Sequence, residues 1–203
     1  MIDKFCQILT NKIRKEMPEI DDERAEVIMY GLQVIIGELP KGIIILAIAY
    51  LLGIFKLTFV ALLIIAPYRC VSGGIHMKTH FGCIISTLLL YSGPALLGKY
   101  IILMGKTKYI LAGISWIFCM IMIKKYAPAD TENVPILRKK ERKQKQVFSY
   151  IILSIEFIFA VLTTNTVIAG IIIFGDLIQT LTITRFAYNL TKNKYGHEVY
   201  ANI

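Results

Sequence analysis

Long apolar blocks, separated by short polar breaks, run along most of the chain. A helix needs about 20 apolar residues to cross a bilayer, with about 17 as the lower limit. Several of the blocks approach or exceed that length, so the pattern predicts an all-α, polytopic integral membrane protein with about six membrane-embedded helices. The predicted blocks are residues 25–39, 42–66, 83–98, 109–123 and two more between 147 and 184.

The first 17 residues show a different pattern, in which apolar residues recur at helical spacing among charged ones. This spacing predicts an N-terminal amphipathic helix that lies on the membrane surface or packs against the bundle. Its apolar positions are Ile2, Phe5, Ile8, Leu9, Ile13 and Met17.

The composition agrees with this interpretation. Hydrophobic residues make up 56% of the chain, whereas soluble domains have about 45–50%. Because the excess is concentrated in blocks, it indicates membrane spans rather than an enlarged soluble core. We expect residues 1–203 to form a single membrane-embedded domain.

Charge predicts the orientation in the membrane. Residues 124–145 contain eight basic and three acidic residues, and positively charged connectors stay in the cytoplasm. Counting back two crossings also places residues 69–83 on the cytoplasmic side of a multi-pass protein of the cell membrane. The densest part, the basic block 138–145, is suited to contact anionic lipid. It has no interleaved aromatic residues, so nucleic-acid binding is not predicted.

The connector at residues 69–83, RCVSGGIHMKTHFGC, holds two of the three histidines and two of the four cysteines. Cys83 stands where the next apolar helix begins. The free N–H groups at the start of a helix stabilise a thiolate, and a thiol with histidines nearby is suited to act as a nucleophile. Cys83 is therefore the candidate nucleophile.

Two histidines compete for the role of general base. His76 is seven residues from Cys83, which would be about 10 Å along an unbroken helix, whereas proton transfer needs about 3 Å. The pair can meet only if the chain folds back, which Gly73 and Gly74 would permit. His80, three residues before Cys83, would be its direct neighbour on a continuous helix, so spacing alone favours His80.

A metal site is the other chemistry open to this connector. His76, His80 and Cys83 could place three zinc ligands on one helical face. A zinc protease of the HExxH kind also needs a glutamate, but position 77 is Met and no acid lies between Glu38 and Asp130. We therefore predict neither a metal nor another cofactor.

The connector resembles that of the accessory gene regulator B (AgrB) family, membrane cysteine endopeptidases that mature quorum-sensing peptides. The resemblance rests on RCVSGGIH, on Cys83 seven residues later, and on KKYAPADTENVPI at 124–136. It implies that His76 is the general base and Cys83 the nucleophile, against the spacing argument for His80.

The resemblance also implies a reaction and its partners. The substrate would be a pro-peptide with an amphipathic leader and an acidic C-terminal tail. Cys83 would release the tail and hold the remainder as a thioester, and cyclisation would give a thiolactone or lactone autoinducer. We further expect a homodimer.

Supporting roles are open at three positions. Arg69 could bind a substrate carboxylate or a lipid phosphate, or it could simply extend towards the membrane interface. Asp130 or Asp176 could orient His76 only if folding brings it there. The basic block 138–145 could attract the acidic tail of the pro-peptide.

A transporter or exporter of a small peptide is the main alternative function, and a non-enzymatic membrane scaffold is a third. Transporters favour ionisable residues at mid-membrane depth. Internal repeats, common in transporters, are not evident in this sequence. The candidate ionisable residues are Glu38, Lys56, Glu156 and Asp176.

Overall fold

The computed structural model describes residues 2–17, 19–77, 79–132 and 134–200, with side chains for all of these except residues 2, 3, 23, 30, 33, 34, 38 and 80. The described residues form helices and no strands, so the all-α prediction is confirmed. They divide into two compact units, residues 1–48 and 49–203. The helices are α1 (Ile2–Glu16), α2 (Asp22–Leu51), α3 (Phe55–Ser72), α4 (His80–Tyr100), α5 (Gly105–Tyr126), α6 (Lys139–Leu162), α7 (Thr166–Thr182), α8 (Arg185–Leu190) and α9 (Gly196–Val199).

The first unit contains α1 and most of α2. Asp21 caps α2, because its Oδ1 accepts a hydrogen bond from Arg24 N at 2.8 Å. An exposed ion pair, Arg14 to Asp22 at 2.7 Å, joins the end of α1 to the start of α2. Helix α1 lies where the N-terminal helix was predicted, and its position on a membrane surface stays a prediction.

The prediction of one continuous helix over 42–66 is wrong. The chain breaks after α2, where Gly53 has a φ of 67°. Gly53 N donates to Tyr50 O at 3.0 Å, and Ile54 N donates to Ala49 O at 2.9 Å. These are the two bonds of a Schellman motif, which ends a helix at a glycine whatever the hydrophobicity of its neighbours.

The expected boundary near residue 40 is also absent, because α2 continues through Pro40. By length and composition, four helices in the described part are suited to cross a membrane: α3, α4 from Phe81, α5 and α6. Helix α7 is apolar but has only 17 residues. The prediction of about six spans is thus supported for four helices and stays a prediction for the others.

Helix α7 forms the centre of the second unit, where it packs against α3, α4, α5 and α6. Its closest neighbour is α4, because both helices lack a side chain at the crossing. A Cβ on Gly98 would lie 2.7 Å from Val167 O, and one on Gly170 would lie 2.9 Å from the Cα of Gly98. Small residues of this kind allow membrane helices to approach closely.

Large apolar side chains cover the outer faces of α5 and α6, including Ile114, Ile117, Ile155 and Phe159, which are more than half exposed. Soluble proteins rarely expose apolar surface of this extent. Facing lipid, the same side chains would be in their preferred environment. This arrangement supports a multi-pass location in the membrane.

One end of the second unit, called here the site end, gathers three segments that are distant in sequence: 73–79, 127–138 and 183–200. Backbone hydrogen bonds connect the first of these to the second and to the end of α7. The predicted order of crossings also put the first two of these segments on one side. That the site end faces the cytoplasm stays a prediction.

At the opposite end, Lys108 closes the terminus of α6. Its Nζ donates to Val161 O at 2.8 Å and to Thr163 O at 2.9 Å. A cation at the carboxyl end of a helix satisfies free carbonyl groups and favours the helix dipole.

Candidate active site

The glycine pair forms the start of the connector. Gly73 and Gly74 have φ values of 73° and 144°, directly after α3 ends at Ser72. A Cβ on Gly73 would collide with the carbonyl of Ala129, and one on Gly74 would lie 2.5 Å from Thr182 Oγ1. Both positions therefore favour glycine, as the predicted bend requires.

The two sequence motifs that carry the family resemblance meet at this bend. Gly74 N donates to Ala129 O at 3.0 Å, and Ala129 N donates to Ser72 O at 2.8 Å, which forms a short parallel bridge. On its other side the connector is bound to α7, because Ile75 N donates to Thr182 O at 3.1 Å. The connector is thus held between two distant segments.

Arg69 and Gln179 reinforce this arrangement with their side chains. Arg69 donates from Nη1 to Gln179 Oε1 at 2.8 Å and from Nη2 to Ile75 O at 3.0 Å. Gln179 Nε2 donates in turn to Gly73 O at 2.8 Å and to Ser72 Oγ at 3.0 Å. The guanidinium of Arg69 therefore holds the connector, and its predicted contact with a substrate carboxylate stays a prediction.

His76 lies on the connector with an exposed side chain. Its backbone carbonyl accepts a hydrogen bond from Asn193 Nδ2 at 2.8 Å. The main chain on either side of the candidate base is thus tied to the C-terminal part of the protein, at Thr182 and at Asn193.

Cys83 lies in the first turn of α4 with a free thiol and 8% exposure. Thr79 caps this helix, since its Oγ1 accepts from Gly82 N at 3.1 Å, and Cys83 N donates to Thr79 O at 2.9 Å. The predicted position of Cys83 at the start of a helix is confirmed.

His76 and Met77 are not helical and α4 begins only at His80, so an unbroken helix does not hold His76 and Cys83 apart. His80 is the first residue of α4, and its side chain lies outside the described part. Among the described side chains, no group of three His, Cys, Asp or Glu residues could hold a metal ion. The three-ligand zinc hypothesis includes His80 and is not tested by this.

Asp130 is the centre of a second polar cluster at the site end, and its side chain has no exposed surface. It accepts from Ile136 N at 2.9 Å and from His197 N at 2.8 Å, lies 2.6 Å from His197 Nδ1, and pairs with Arg142 Nη1 at 3.2 Å. Burial raises the pKa of this carboxyl. The hydrogen bonds from Ile136 and His197 and the charge of Arg142 outweigh burial and hold the pKa below its usual value.

The other acid considered for orienting His76 is Asp176, which is completely buried within α7. Its carboxyl group interacts with that of Glu156, and neither Asp176 oxygen has a hydrogen-bond partner in the described part of the protein. The described contacts of Asp130 and Asp176 therefore do not support a role for either acid beside His76.

Gln179, Asn193 and His197 were not singled out from the sequence, although the side chains of all three form hydrogen bonds at the site end. A signal existed for Gln179, because it belongs to a polar run in an otherwise apolar segment. For Asn193 and His197, no local pattern distinguishes them from ordinary surface residues.

Fold and site together define a multi-pass helical membrane protein. At one end of it lie a cysteine in the first turn of a helix and a connector that carries a histidine and is held in place at its glycine pair. The sequence model of the accessory gene regulator B family, AgrB, matches residues 6–183. The chain belongs to this family.

Similar proteins agree with this assignment. An AgrB-like protein of Clostridium acetobutylicum is 24% identical over 199 residues, covering 96% of this chain and 91% of its own. A second, from Listeria innocua, is 26% identical and covers 90% of this chain and 88% of its own. AgrB-like protein 2 of Clostridium perfringens is 28% identical and covers 95% of each chain. No solved structure matches.

Proposed function

We propose that this protein is a membrane cysteine endopeptidase that cleaves the acidic C-terminal tail from a quorum-sensing pro-peptide and promotes cyclisation of the remainder. Membership of the AgrB family implies a role in quorum-sensing peptide processing. The observation that carries the cysteine chemistry is the place of Cys83 at the start of α4, directly after the connector that bears His76.

In this mechanism His76 accepts the proton of the Cys83 thiol, and the thiolate attacks the carbonyl carbon before the tail. The carbon–nitrogen bond breaks, and the departing amine takes the proton from His76. The leader part of the peptide remains on Cys83 as a thioester. His76 then takes the proton of an internal cysteine thiol of the peptide, whose sulfur attacks that thioester. The thiolactone forms, and Cys83 leaves as a thiolate that regains the proton from His76.

A cysteine nucleophile suits this product. The final step exchanges one thioester for another, so it is nearly balanced in energy, whereas a serine ester would make thiolactone formation unfavourable. For a peptide that closes through serine, the same acyl enzyme gives a lactone.

The test is co-expression with a candidate pro-peptide and mass spectrometry of the products. Cys83→Ala should abolish release of the tail while membrane insertion continues, and His76→Ala should lower it far more than His80→Ala. Cys70→Ala is the matched control, because this exposed cysteine lies at the end of α3. Cleavage by Cys83→Ala, or loss of cleavage with His80→Ala alone, would contradict the assignment.

The buried acids Glu156 and Asp176 are the observation that favours the alternative, a transporter or exporter of a small peptide. Detergent-solubilised protein separates the two functions, because a micelle has no second compartment. A peptidase still releases the tail there, whereas a pure transporter has no measurable product.

The proposed orientation and assembly have their own tests. A cysteine placed at Lys143, in a background without the four native cysteines, should react with a membrane-impermeant maleimide only after the cells are opened. Reaction in intact cells would put the site end outside. Chemical cross-linking in membranes should yield a homodimer, and a purely monomeric pattern would exclude it.

A further inference from the structure

We propose that Asn193, in the C-terminal segment 185–200, is a positioning residue for His76. This inference rests on the proposed function, in which His76 is the general base. The segment follows residue 183, where the match to the family model ends, so that match assigns no role to Asn193.

The turn after α8 directs Asn193 towards His76. Lys192 takes a positive φ of 54°, and Asn193 N donates to Tyr188 O at 2.9 Å. The side-chain Nδ2 then donates to Thr191 Oγ1 at 2.7 Å and to His76 O at 2.8 Å. An amide held in this way from its own backbone and from a neighbouring hydroxyl loses little further freedom when it binds His76.

The segment around Asn193 is itself anchored on both sides. Before it, Tyr188 OH donates to Asp130 O at 3.0 Å. After it, Tyr195 OH donates to Ile183 O at 2.8 Å, and the Tyr195 ring stacks on Tyr188 with centroids 4.0 Å apart.

A third anchor lies further along. His197 binds the fully buried carboxylate of Asp130 through its backbone N at 2.8 Å and its Nδ1 at 2.6 Å. Through Asp130 the segment is therefore tied to the 127–131 loop, the same loop that bridges to the connector at Ala129.

This anchoring matters because the position of the main chain at His76 decides where its imidazole can reach. A general base works only within about 3 Å of the proton it accepts, and a displacement of about 1 Å can reduce a rate by about 100-fold. The bond from Ile75 to Thr182 fixes the connector one residue before His76, and the bond from Asn193 fixes it at His76 itself.

The first test measures alkylation of Cys83 by iodoacetamide without substrate, in full-length protein whose other three cysteines are replaced by alanine. His76 should raise the rate of Cys83 alkylation more at pH 7 than at pH 9. We expect His76→Ala and Asn193→Ala each to lower the ratio of the two rates several-fold. Asn189→Ala, an exposed asparagine in α8 of the same segment, should leave it unchanged.

The second test measures processing kinetics. A positioning role predicts that Asn193→Ala lowers kcat about tenfold and leaves KM and the thermal unfolding temperature unchanged. If this variant unfolds, Asn193→Leu fills the same volume without a donor and should show the same loss.

The outcomes separate the two proposals. If His76→Ala changes the alkylation ratio and both Asn193 variants do not, the positioning role is wrong and the proposed peptidase stands. If His76→Ala changes neither alkylation nor processing, the proposed catalytic pair itself is wrong. If the Asn193 variants raise KM with an unchanged kcat, the segment binds substrate rather than positioning the base.

Discussion

Replacement of Gly74 by alanine should disable the site by undocking the connector from α7. Gly74 is buried and has a φ of 144°, which L side chains rarely adopt. A Cβ there would lie 2.5 Å from Thr182 Oγ1 and 3.1 Å from Arg69 Nη1. The new methyl group would therefore displace Thr182 and press on the guanidinium that holds Ile75.

The size of the effect follows from two contributions. A non-glycine residue in such a conformation costs about 1–3 kcal/mol. Rotation of Thr182 breaks its hydrogen bond to Gln179 O, at 2.7 Å, which adds about 1 kcal/mol. The total is about 2–4 kcal/mol. Since about 1.4 kcal/mol corresponds to each factor of ten, the population of the docked connector should fall about 30-fold to about 1,000-fold.

The assay is the rate of tail release in detergent, together with hydrogen exchange of residues 73–77. Gly93→Ala is the matched control, because a Cβ at that position in α4 has no neighbour within 4 Å, and it should keep full activity. The double variant Gly74→Ala/Thr182→Ala removes the clash but restores neither the relaxed backbone nor the hydrogen bond to Gln179 O, so no recovery of activity is expected. Wild-type activity and exchange in Gly74→Ala would refute the reasoning.

Three further predictions concern other parts of the site end. Arg69→Lys should reduce processing about tenfold, because a lysine cannot reproduce the guanidinium's two separate hydrogen bonds. Arg185→Lys, at an exposed position, is the control. Equal activity of the Arg69→Lys and Arg185→Lys variants would contradict the role of Arg69 in holding the connector. The pKa of Asp130 is lowered, so its contribution to stability is present above the usual aspartate pKa of about 4 and is lost as the pH falls through the lowered value. The protection of residues 193–200 against hydrogen exchange, relative to an unfolded chain at the same pH, should therefore be high at pH 7 and pH 5 and fall only below about pH 4. A fall in protection already at pH 6 would be inconsistent with this anchor. Arg142 of the block 138–145 pairs with Asp130 and should be kept. Neutralising the other five basic residues of the block should weaken processing chiefly at low salt, and a loss that is independent of salt would exclude attraction of the acidic tail.

The sequence was sufficient for the features that depend on local patterns. The helical class follows from apolar blocks, and the bend follows from two adjacent glycines. The place of Cys83 in the first turn of a helix follows from the point at which polar residues give way to apolar ones. In each case the residues that form the sequence pattern lie within a few positions of the structural feature they predict.

Other features could not be obtained in this way, for physical reasons. The break at Gly53 interrupts a uniformly apolar run, so hydrophobicity does not mark it, although the glycine itself was a visible sign. The hydrogen bond from Asn193 to His76 joins residues 117 positions apart. Contacts of that kind depend on how the helices pack, which periodicity along the chain does not contain.

The hydrogen bond between Asn193 and His76 can form only late in the synthesis of the chain. A ribosome that has delivered α3 and α4 has already made the histidine and the thiol, yet Thr182 and Asn193 follow only 82 and 93 residues after Tyr100, the end of α4. Until then the connector lacks both of those restraints. A nascent chain of this protein thus carries His76 and Cys83 into the bilayer well before the residues that restrain the connector have been made.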